Sequence, residues 1–131
     1  MSKKVSFDFD GTLARKDVQE FASLLISKGI EVEITTARCT QKELDERHIW
    51  WYKNDIVFEI MEEIGIEKVT FTSSVSKSEF LKEDIIFHLD DDNVELEEII
   101  ESGIKTIGVD VKKINYQEIC LNILGLNQIS L

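Results

Sequence analysis

Two aspartates, Asp8 and Asp10, stand one residue apart near the start of the chain and are followed by Gly11 and Thr12. The short apolar run before them, residues 5–7, predicts a buried strand, so the first aspartate emerges where the strand ends. Gly11 permits a sharp turn that a side chain would obstruct. Two carboxylates this close repel each other unless a cation or a shared proton compensates them. The pair therefore predicts a site for a hard metal ion, for nucleophilic and acid–base chemistry, or for both.

Chemically useful side chains also follow three later segments that have the composition of strands. In chain order these segments are residues 30–36, which end in Thr35-Thr36 before Ala37-Arg38; residues 67–72, followed by Ser73-Ser74-Val75-Ser76-Lys77; and residues 84–89, followed by Asp90-Asp91-Asp92. In a doubly wound sheet, ligands bind beyond the carboxyl ends of the strands. Acids from two strands can hold one Mg²⁺, and a hydroxyl and a lysine from the other two can hold an anion. This combination favours phosphoryl transfer, in which positioning and charge neutralisation supply most of the catalysis.

The elements that must position these side chains alternate between helix and strand. A helix, a glycine, an isoleucine and a strand follow one another three times, at Lys28-Gly29-Ile30, Ile64-Gly65-Ile66 and Ser102-Gly103-Ile104. Glycine just past a helix is the usual left-handed C-cap, and the β-branched residues that follow favour a strand. The alternation predicts an α/β fold, namely a three-layer Rossmann-like parallel sheet with helices on both faces.

The predicted boundaries fit one domain that spans residues 1–131, with no linker. Strands are expected at 4–9, 30–36, 67–72, 84–89 and 104–109. The first helix is expected to begin at an Asp17 cap, and the second to begin near 41 after a Thr40–Glu43 capping box. The remaining helices are expected from Asn54 or Asp55 to 64, near 78–83, at 93–102 and at 114–124.

The net charge, the lengths of the apolar runs and the cysteine count limit the expected binding partners and cellular location. The net charge of -11 argues against binding to duplex nucleic acid, because phosphate contacts need Lys and Arg. The apolar runs are too short to span a bilayer, and no signal peptide opens the chain, so we expect no membrane association. With only Cys39 and Cys120, we expect reduced thiols and a cytoplasmic location.

From about residue 5 to residue 110, the chain resembles the haloacid dehalogenase (HAD) superfamily of phosphohydrolases. The family pattern is Asp-x-Asp-x-Thr after the first strand, Thr or Ser after the second, then a basic residue, then an acidic cluster after the fourth strand. The matching elements here are Asp8-Phe9-Asp10-Gly11-Thr12, Thr36, Lys77 and Asp90-Asp91. The first motif alone is moderately specific, whereas four motifs in this order at strand ends make a strong match.

The resemblance implies a phosphoric monoester hydrolase that acts through an aspartyl-phosphate intermediate. Asp8 would attack phosphorus, and Asp10 would protonate the leaving oxygen and then activate the hydrolytic water. Thr36 would hydrogen-bond a phosphoryl oxygen, and Lys77 would compensate negative charge on the nucleophile and the phosphate.

The same resemblance implies Mg²⁺ as the cofactor, since hard oxygen ligands suit it. Its ligands would be the carboxylates of Asp8 and Asp90 and the backbone carbonyl of Asp10, with Asp91 as a further candidate. The substrate would be a phosphorylated nucleotide, nucleic-acid terminus, sugar or protein. Four neighbouring residues are predicted to contact it: Gly11, Thr12, Ala37 and Arg38.

Two of these assignments have a competing residue close in the sequence. Thr35 competes with Thr36, which we prefer because Thr-Ala-Arg fits the second motif of the family better. Lys68 or Lys82 could take the place of Lys77, which stands closer to the acidic cluster than is usual.

Other reactive side chains near the motifs are predicted to have structural roles. His88, inside an apolar strand, is expected to be a core histidine with satisfied ring nitrogens. Cys39 is expected to be small and idle, because the sequence shows no group that would activate it. Arg38 either contacts the substrate or pairs with Glu43. One carboxylate within residues 90–92 is expected only to cap the helix that follows.

Neither interval between the motifs is long enough for a cap domain. Residues 11–35 hold little more than one helix, and residues 37–76 hold a helical segment and a strand. This predicts a capless member of the family with an open site. Open sites within the family serve bulky substrates or are covered by another subunit, so a homo-oligomer is one of the two alternatives. The cluster His48-Ile49-Trp50-Trp51-Tyr52 is predicted to be a helix that buries its aromatic rings in the core. The alternative is an exposed wall beside the site or an oligomer contact.

Two other classes of protein share parts of this pattern. A receiver-type phosphoacceptor domain has a similar length and the same residue types, but its acidic pair comes first and its phosphorylated aspartate stands alone in mid-chain. A non-catalytic phosphate- or metal-binding relative is the other alternative, although no motif here is visibly broken. We therefore expect a phosphatase.

Overall fold

The apolar run at the start of the chain forms the central strand of a parallel sheet. The structure, a computed structural model, describes residues 3–126. Its strands are β1 (Lys4–Phe7), β2 (Glu31–Thr36), β3 (Val69–Phe71), β4 (Ile85–Asp90) and β5 (Ile107–Asp110). Their order across the sheet is β3-β2-β1-β4-β5, and all neighbouring strands are parallel. The carboxyl ends of all five strands therefore lie at one edge.

Helices flank this sheet, as the α/β prediction requires. They are α1 (Lys16–Ser27), α2 (Gln41–Glu46), α3 (Asp55–Ile64), α4 (Asn93–Ser102) and α5 (Tyr116–Leu124). Between β1 and β2 lies one helix, and between β2 and β3 lie two, so residues 3–126 form no separate cap. In this part of the chain, no helix has both the length and the apolar character needed to cross a bilayer.

Aromatic packing fixes β1 against the helices. Phe7 is fully buried, and its ring centroid lies 6.2 Å from those of Phe21 in α1 and Phe87 in β4. Burial of each such side chain stabilises the fold by about 1.5–3 kcal/mol. A second, smaller apolar cluster consists of Leu81, Ile85 and Ile99. Because β1 is held by its neighbours on both sides, the residues at its carboxyl end have a fixed position.

The first strand ends two residues earlier than predicted, at Phe7. A tight turn over Phe9–Leu13, here named the site turn, takes over because Gly11 adopts a left-handed φ of 76°. The helix predicted near 78–83 is also shorter, since only a single 3-10 turn over Lys77–Glu79 forms there.

The predicted helix caps are partly correct. Thr40 accepts a hydrogen bond from the amide of Glu43 and the Glu43 carboxylate accepts one from the amide of Thr40, which confirms the capping box. Asp17 does not cap α1. The helix begins at Lys16 after an Arg15 cap, two residues earlier than predicted, and the Asp17 carboxylate accepts two hydrogen bonds from the Arg15 guanidinium instead.

The prediction that residues 48–52 form a helix with buried aromatic rings is wrong. They connect α2 to α3 without helical structure, and His48 has a φ of 56°, which ends helical geometry after α2. Trp50 and Trp51 are 81% and 66% exposed, and their rings contact each other edge to face. Only Tyr52 turns inward, where its hydroxyl accepts a hydrogen bond from the amide of Cys39.

Candidate active site

Three carboxylates meet where β1 and β4 end side by side. One oxygen each from Asp8, Asp90 and Asp91 lies within 4.8 Å of the other two. Asp8 and Asp90 are buried, and Asp91 is half-buried. Oxygen donors grouped in this way suit a hard divalent cation such as Mg²⁺. The third acid of the run has another role, because the Asp92 carboxylate accepts the amide of Val94 and caps α4, as predicted for one member of the run.

A buried lysine compensates two of these acids. The Nζ of Lys77 lies 2.7 Å from Asp8 Oδ1 and 2.6 Å from Asp90 Oδ2, and Lys77 is only 2% exposed. The alternatives predicted from the sequence lie elsewhere: Lys68 is near Glu33 at 3.8 Å, and Lys82 is exposed. Lys77 is therefore the lysine that the fold brings to the acids.

Burial and neighbouring charges shift the pKa values of Asp8 and Asp90 in opposite directions. Burial raises the pKa of the Asp8 carboxyl to about 8, against the opposing effect of Lys77 and with the support of the Asp90 charge. Burial also acts to raise the pKa of Asp90, but hydrogen bonds and charge from His88 and Lys77 outweigh it and hold that pKa well below its usual range. Without a metal ion, Asp8 thus retains a proton near neutral pH, which a bound cation would displace.

The Asp90 carboxylate has a hydrogen-bond partner on each oxygen. Its Oδ1 accepts the amide of Asp92, and its Oδ2 lies 2.7 Å from Nε2 of His88. The other ring nitrogen of His88, Nδ1, lies 2.9 Å from the Ser6 hydroxyl. The prediction of a core histidine with satisfied nitrogens is confirmed. Its contact with Asp90 was not predicted, although the spacing of two residues on one strand already places both side chains on the same face.

The site turn holds Asp8 from the other side. The Thr12 hydroxyl donates to Asp8 Oδ2 at 3.1 Å. Gly11 lies against the carboxylate of Asp91, so that a Cβ at this position would collide with Oδ2 and Cγ of that aspartate. The positive φ of 76° favours glycine here, and any Cβ would in addition displace the Asp91 carboxylate.

Replacing Gly11 by Ala should disrupt the acid cluster. We expect a loss of about 1–3 kcal/mol in the free energy of unfolding, from left-handed strain and displacement of Asp91. We also expect weaker binding of Mn²⁺, measured by isothermal titration. Gly103→Ala is the matched control, because Gly103 also has a positive φ, of 72°, but within residues 3–126 no atom lies within 4 Å of the place that its Cβ would take. Equal Mn²⁺ affinity in both variants would contradict the proposed close approach to Asp91.

The second aspartate of the first motif points away from the carboxylate cluster. Arg38 donates to both oxygens of Asp10, each at 2.8 Å, and its guanidinium lies between the rings of Phe9 and Tyr52, about 5 Å from each centroid. The predicted alternative, a pair between Arg38 and Glu43, is wrong, because Glu43 is engaged in its capping box and with Ser73. A surface cavity lies beside this pair, lined by Asp10, Ala37, Arg38 and Tyr52.

The two threonines at the end of β2 have different partners. Thr35 shares a hydrogen bond with the Ser6 hydroxyl at 2.8 Å. Thr36 is buried and accepts the amide of Arg38 at 3.3 Å, which leaves its hydroxyl hydrogen for another acceptor. This difference favours Thr36 as the threonine with donor capacity. Cys39 is a buried free thiol, as predicted, but its Sγ accepts a hydrogen bond from the Arg47 guanidinium at 3.3 Å, a partner that was not predicted.

Comparisons with known proteins identify the fold. No family model and no curated protein matches the sequence. Three solved structures cover 95% of this chain. They are a putative 3-deoxy-D-manno-octulosonate 8-phosphate phosphatase from Vibrio cholerae (16% identity, 84% of that chain, TM-score 0.51), the cobalt-bound deoxy-D-mannose-octulosonate 8-phosphate phosphatase from Haemophilus influenzae (14%, 88%, 0.51) and a putative HAD superfamily subfamily III A hydrolase from Legionella pneumophila (16%, 84%, 0.50).

A longer neighbour, a hypothetical protein from Xanthomonas campestris, matches with a TM-score of 0.48, and this chain spans 63% of its length. At identities of 14–16%, the three structures with higher scores establish the architecture. The parallel five-stranded sheet and flanking helices of residues 3–126 thus have the fold of HAD superfamily hydrolases of known structure, and this part of the chain forms no separate cap.

Proposed function

We propose that this protein is a Mg²⁺-dependent phosphomonoesterase that acts through an aspartyl-phosphate intermediate, an acyl phosphate formed on Asp8. The observation that carries the proposal is the buried Lys77, which contacts both Asp8 and Asp90 at the edge of the sheet where Asp91 completes a carboxylate cluster. A nucleophile, a fixed cation and a set of oxygen ligands are thereby combined at one place. Phosphoryl transfer needs these components and little other covalent chemistry.

Asp8 is oriented for attack on phosphorus by its two hydrogen bonds. Lys77 and Thr12 each hold one carboxylate oxygen, which limits rotation of the side chain about its own axis. In the first step, a carboxylate oxygen of Asp8 forms a bond to phosphorus while the bond to the leaving oxygen breaks. Lys77 and the hydroxyl of Thr36 would then stabilise the negative charge on the phosphoryl oxygens.

Asp10 would supply the proton that the leaving oxygen needs and later remove one from water. In the structure its carboxylate is bound by Arg38, and the cavity beside the pair opens towards solvent. Arg38 therefore holds Asp10 at the rim of the site, next to the place that a leaving group would occupy. Substrate contacts from Arg38, Ala37, Gly11 and Thr12 are part of the same proposal.

The donor set fits the proposed metal. Carboxylate oxygens of Asp8, Asp90 and Asp91 would hold Mg²⁺, together with the backbone carbonyl of Asp10. When bound, the ion would neutralise charge on the transferring phosphoryl group. The cobalt in the Haemophilus influenzae structure supports a divalent metal on this fold.

The substrate is a phosphomonoester whose leaving group the open site accepts. The neighbours named as octulosonate 8-phosphate phosphatases make phosphorylated sugar acids one class to test. Nucleotides, 3′-phosphorylated oligonucleotides, other sugar phosphates and phosphopeptides complete the screen. Release of inorganic phosphate in the presence and absence of Mg²⁺ is the measurement.

The variant Asp10→Asn tests the acid–base role. For an alkyl phosphate we expect kcat to fall by roughly 10²-fold or more, because both formation and breakdown of the intermediate lose proton transfer. With p-nitrophenyl phosphate, whose leaving group needs less protonation, breakdown should slow more than formation. A burst of p-nitrophenol in rapid-quench experiments would reveal this difference.

Asp17→Asn is the matched control for that variant. Asp17 also accepts two hydrogen bonds from one arginine, Arg15, but does not line the cavity beside Asp10 and Arg38. Its kinetics should equal those of the wild type. If Asp10→Asn also kept wild-type rates with both substrates, the acid–base assignment would be wrong.

The same assays separate the proposal from its two alternatives. A receiver-type domain would become stably phosphorylated by a small phosphodonor and would not turn over. A non-catalytic relative would bind Mg²⁺ or phosphate without releasing product. The fold of the solved HAD neighbours favours the hydrolase.

A further inference from the structure

A row of buried polar side chains crosses the centre of the sheet and ends at the acid cluster. The hydroxyls of Thr35 in β2 and Ser6 in β1 lie 2.8 Å apart. Ser6 Oγ lies 2.9 Å from Nδ1 of His88 in β4, and Nε2 of His88 lies 2.7 Å from Oδ2 of Asp90. All four residues are at most 5% exposed. We name Thr35, Ser6 and His88 the sheet relay.

Packing between strands does not by itself call for polar side chains at the positions of the sheet relay. Its members occupy interior positions of three adjacent strands, where apolar β-branched residues would pack well. Buried hydroxyls and imidazoles cost free energy unless each one is hydrogen-bonded. Here each is satisfied by the next, and the last one reaches Asp90. A polar row with one end on a proposed metal ligand indicates a role at that ligand.

The hydrogen bonds of Asp90 determine which group donates and which accepts at each contact of the sheet relay. Asp90 Oδ1 accepts an amide, and Oδ2 accepts from the Lys77 ammonium, so the carboxylate acts as an acceptor and Nε2 of His88 must donate to it. In a neutral ring, Nδ1 then accepts from Ser6, and Ser6 accepts from Thr35.

We propose that His88 is a positioning residue that, held by Ser6 and Thr35, orients the Asp90 carboxylate towards Asp8 and Asp91 for metal binding. The inference rests on the metal site of the proposed function. The Asp92 amide holds Oδ1 of Asp90, and Lys77 holds Oδ2. His88 adds a second donor at Oδ2 and so further restricts rotation of the carboxylate.

Two conservative variants at His88 separate orientation of Asp90 from mere packing. In His88→Gln, the side-chain amide nitrogen can take the place of Nε2 and still donate to Asp90. In His88→Asn, the amide can reach only the place of Nδ1, so the contact with Ser6 persists and the contact with Asp90 is lost. Both changes keep a buried amide, so their effects on stability should be similar.

Binding of Mn²⁺ to the full chain, followed by the electron paramagnetic resonance of free Mn²⁺, is the readout. We expect His88→Asn to weaken Mn²⁺ binding roughly 10- to 100-fold, and His88→Gln, which keeps the contact with Asp90 but loses the contact with Ser6, to weaken it by no more than about three- to tenfold. Equal Mn²⁺ affinity of the Asn and Gln variants would overturn the role of His88. A wild-type chain that binds no Mn²⁺ would instead overturn the metal site and with it the proposed function.

Ser6→Ala keeps the test decisive if neither His88 variant folds. It removes the partner of Nδ1 and leaves the bond to Asp90, so Mn²⁺ binding should weaken by about three- to tenfold. Thr35→Val, one step further away, should have a smaller effect. Unchanged Mn²⁺ affinity in Ser6→Ala would overturn the relay. A ¹⁵N spectrum of the wild type should show Nε2 protonated and Nδ1 unprotonated, and the opposite tautomer would also overturn it.

Discussion

Replacing Asp8 by Asn should lower kcat for phosphomonoester hydrolysis by at least about 10³-fold. An amide cannot attack phosphorus, and it is a poorer metal ligand than a carboxylate. The fold should persist, because the amide oxygen can still accept from Lys77 and the amide nitrogen can donate to Thr12 Oγ1. The measurement is p-nitrophenol release in excess Mg²⁺, together with urea unfolding.

Asp92→Asn is the control that matches the chemistry of this change. Asp92 lies next to the cluster but caps α4 through the amide of Val94, and Asn is an equally good N-cap. We expect its kcat to stay within about twofold of the wild type. Hydrolysis by Asp8→Asn above about one hundredth of the wild-type rate would contradict the nucleophilic role, once contamination is excluded with an Asp8→Ala preparation.

The stability of Asp8→Asn should also depend on pH differently from that of the wild type. Burial raises the pKa of Asp8 from 3.8 to about 8, so the folded protein binds this proton more tightly than the unfolded chain. The contribution of Asp8 to stability is therefore complete below about pH 4 and is lost as the pH rises towards about 8. Asp8→Asn has no carboxyl at this position and so does not lose this stability as the pH rises. In EDTA, its free energy of unfolding relative to that of the wild type should therefore increase between about pH 4 and about pH 8.

Local sequence patterns predicted the framework of the site. The apolar run before Asp8, the capping box at Thr40 and the acid run at 90–92 depend only on neighbouring residues, and each forms the expected element. Lys77 was assigned from the order of motifs, and the structure places it between Asp8 and Asp90.

Contacts between strands could not be predicted in the same way. The pair of Asp10 with Arg38 and the contact between Ser6 and His88 depend on register and on side-chain direction across the sheet. Nearby alternatives such as Glu43 are equally compatible with the sequence. The exposure of Trp50 has a similar cause, because a left-handed residue ends α2 before the aromatic segment and no sequence pattern marks that position.

Removing the charge of Lys77 should cause the largest loss of stability in the metal-free protein. In Lys77→Met, a side chain of similar length remains, but the buried Asp90 carboxylate, and Asp8 where it is ionised, lose their shared cation. Removing one partner of a buried ion pair typically costs about 3–5 kcal/mol, because the remaining charge is buried without compensation. The free energy of unfolding in urea, measured in EDTA, is the test. Lys68→Met and Lys82→Met are matched controls, because both lysines are exposed, and each should change stability by no more than about 0.5 kcal/mol.

Two further measurements distinguish lost charge compensation from lost packing at Lys77. Mg²⁺ should restore stability to Lys77→Met more than it stabilises the wild type, because the ion replaces the missing positive charge between the acids. The loss should also be smaller at pH 5 than at pH 8, since a buried carboxyl without a cation takes up a proton and becomes neutral. The double variant Lys77→Met/Asp90→Asn, which removes the buried charge of Asp90, should be more stable than Lys77→Met alone. A loss of stability that is independent of pH, of Mg²⁺ and of Asp90 would mean that Lys77 acts through packing, and the electrostatic basis of the proposed site would then be wrong.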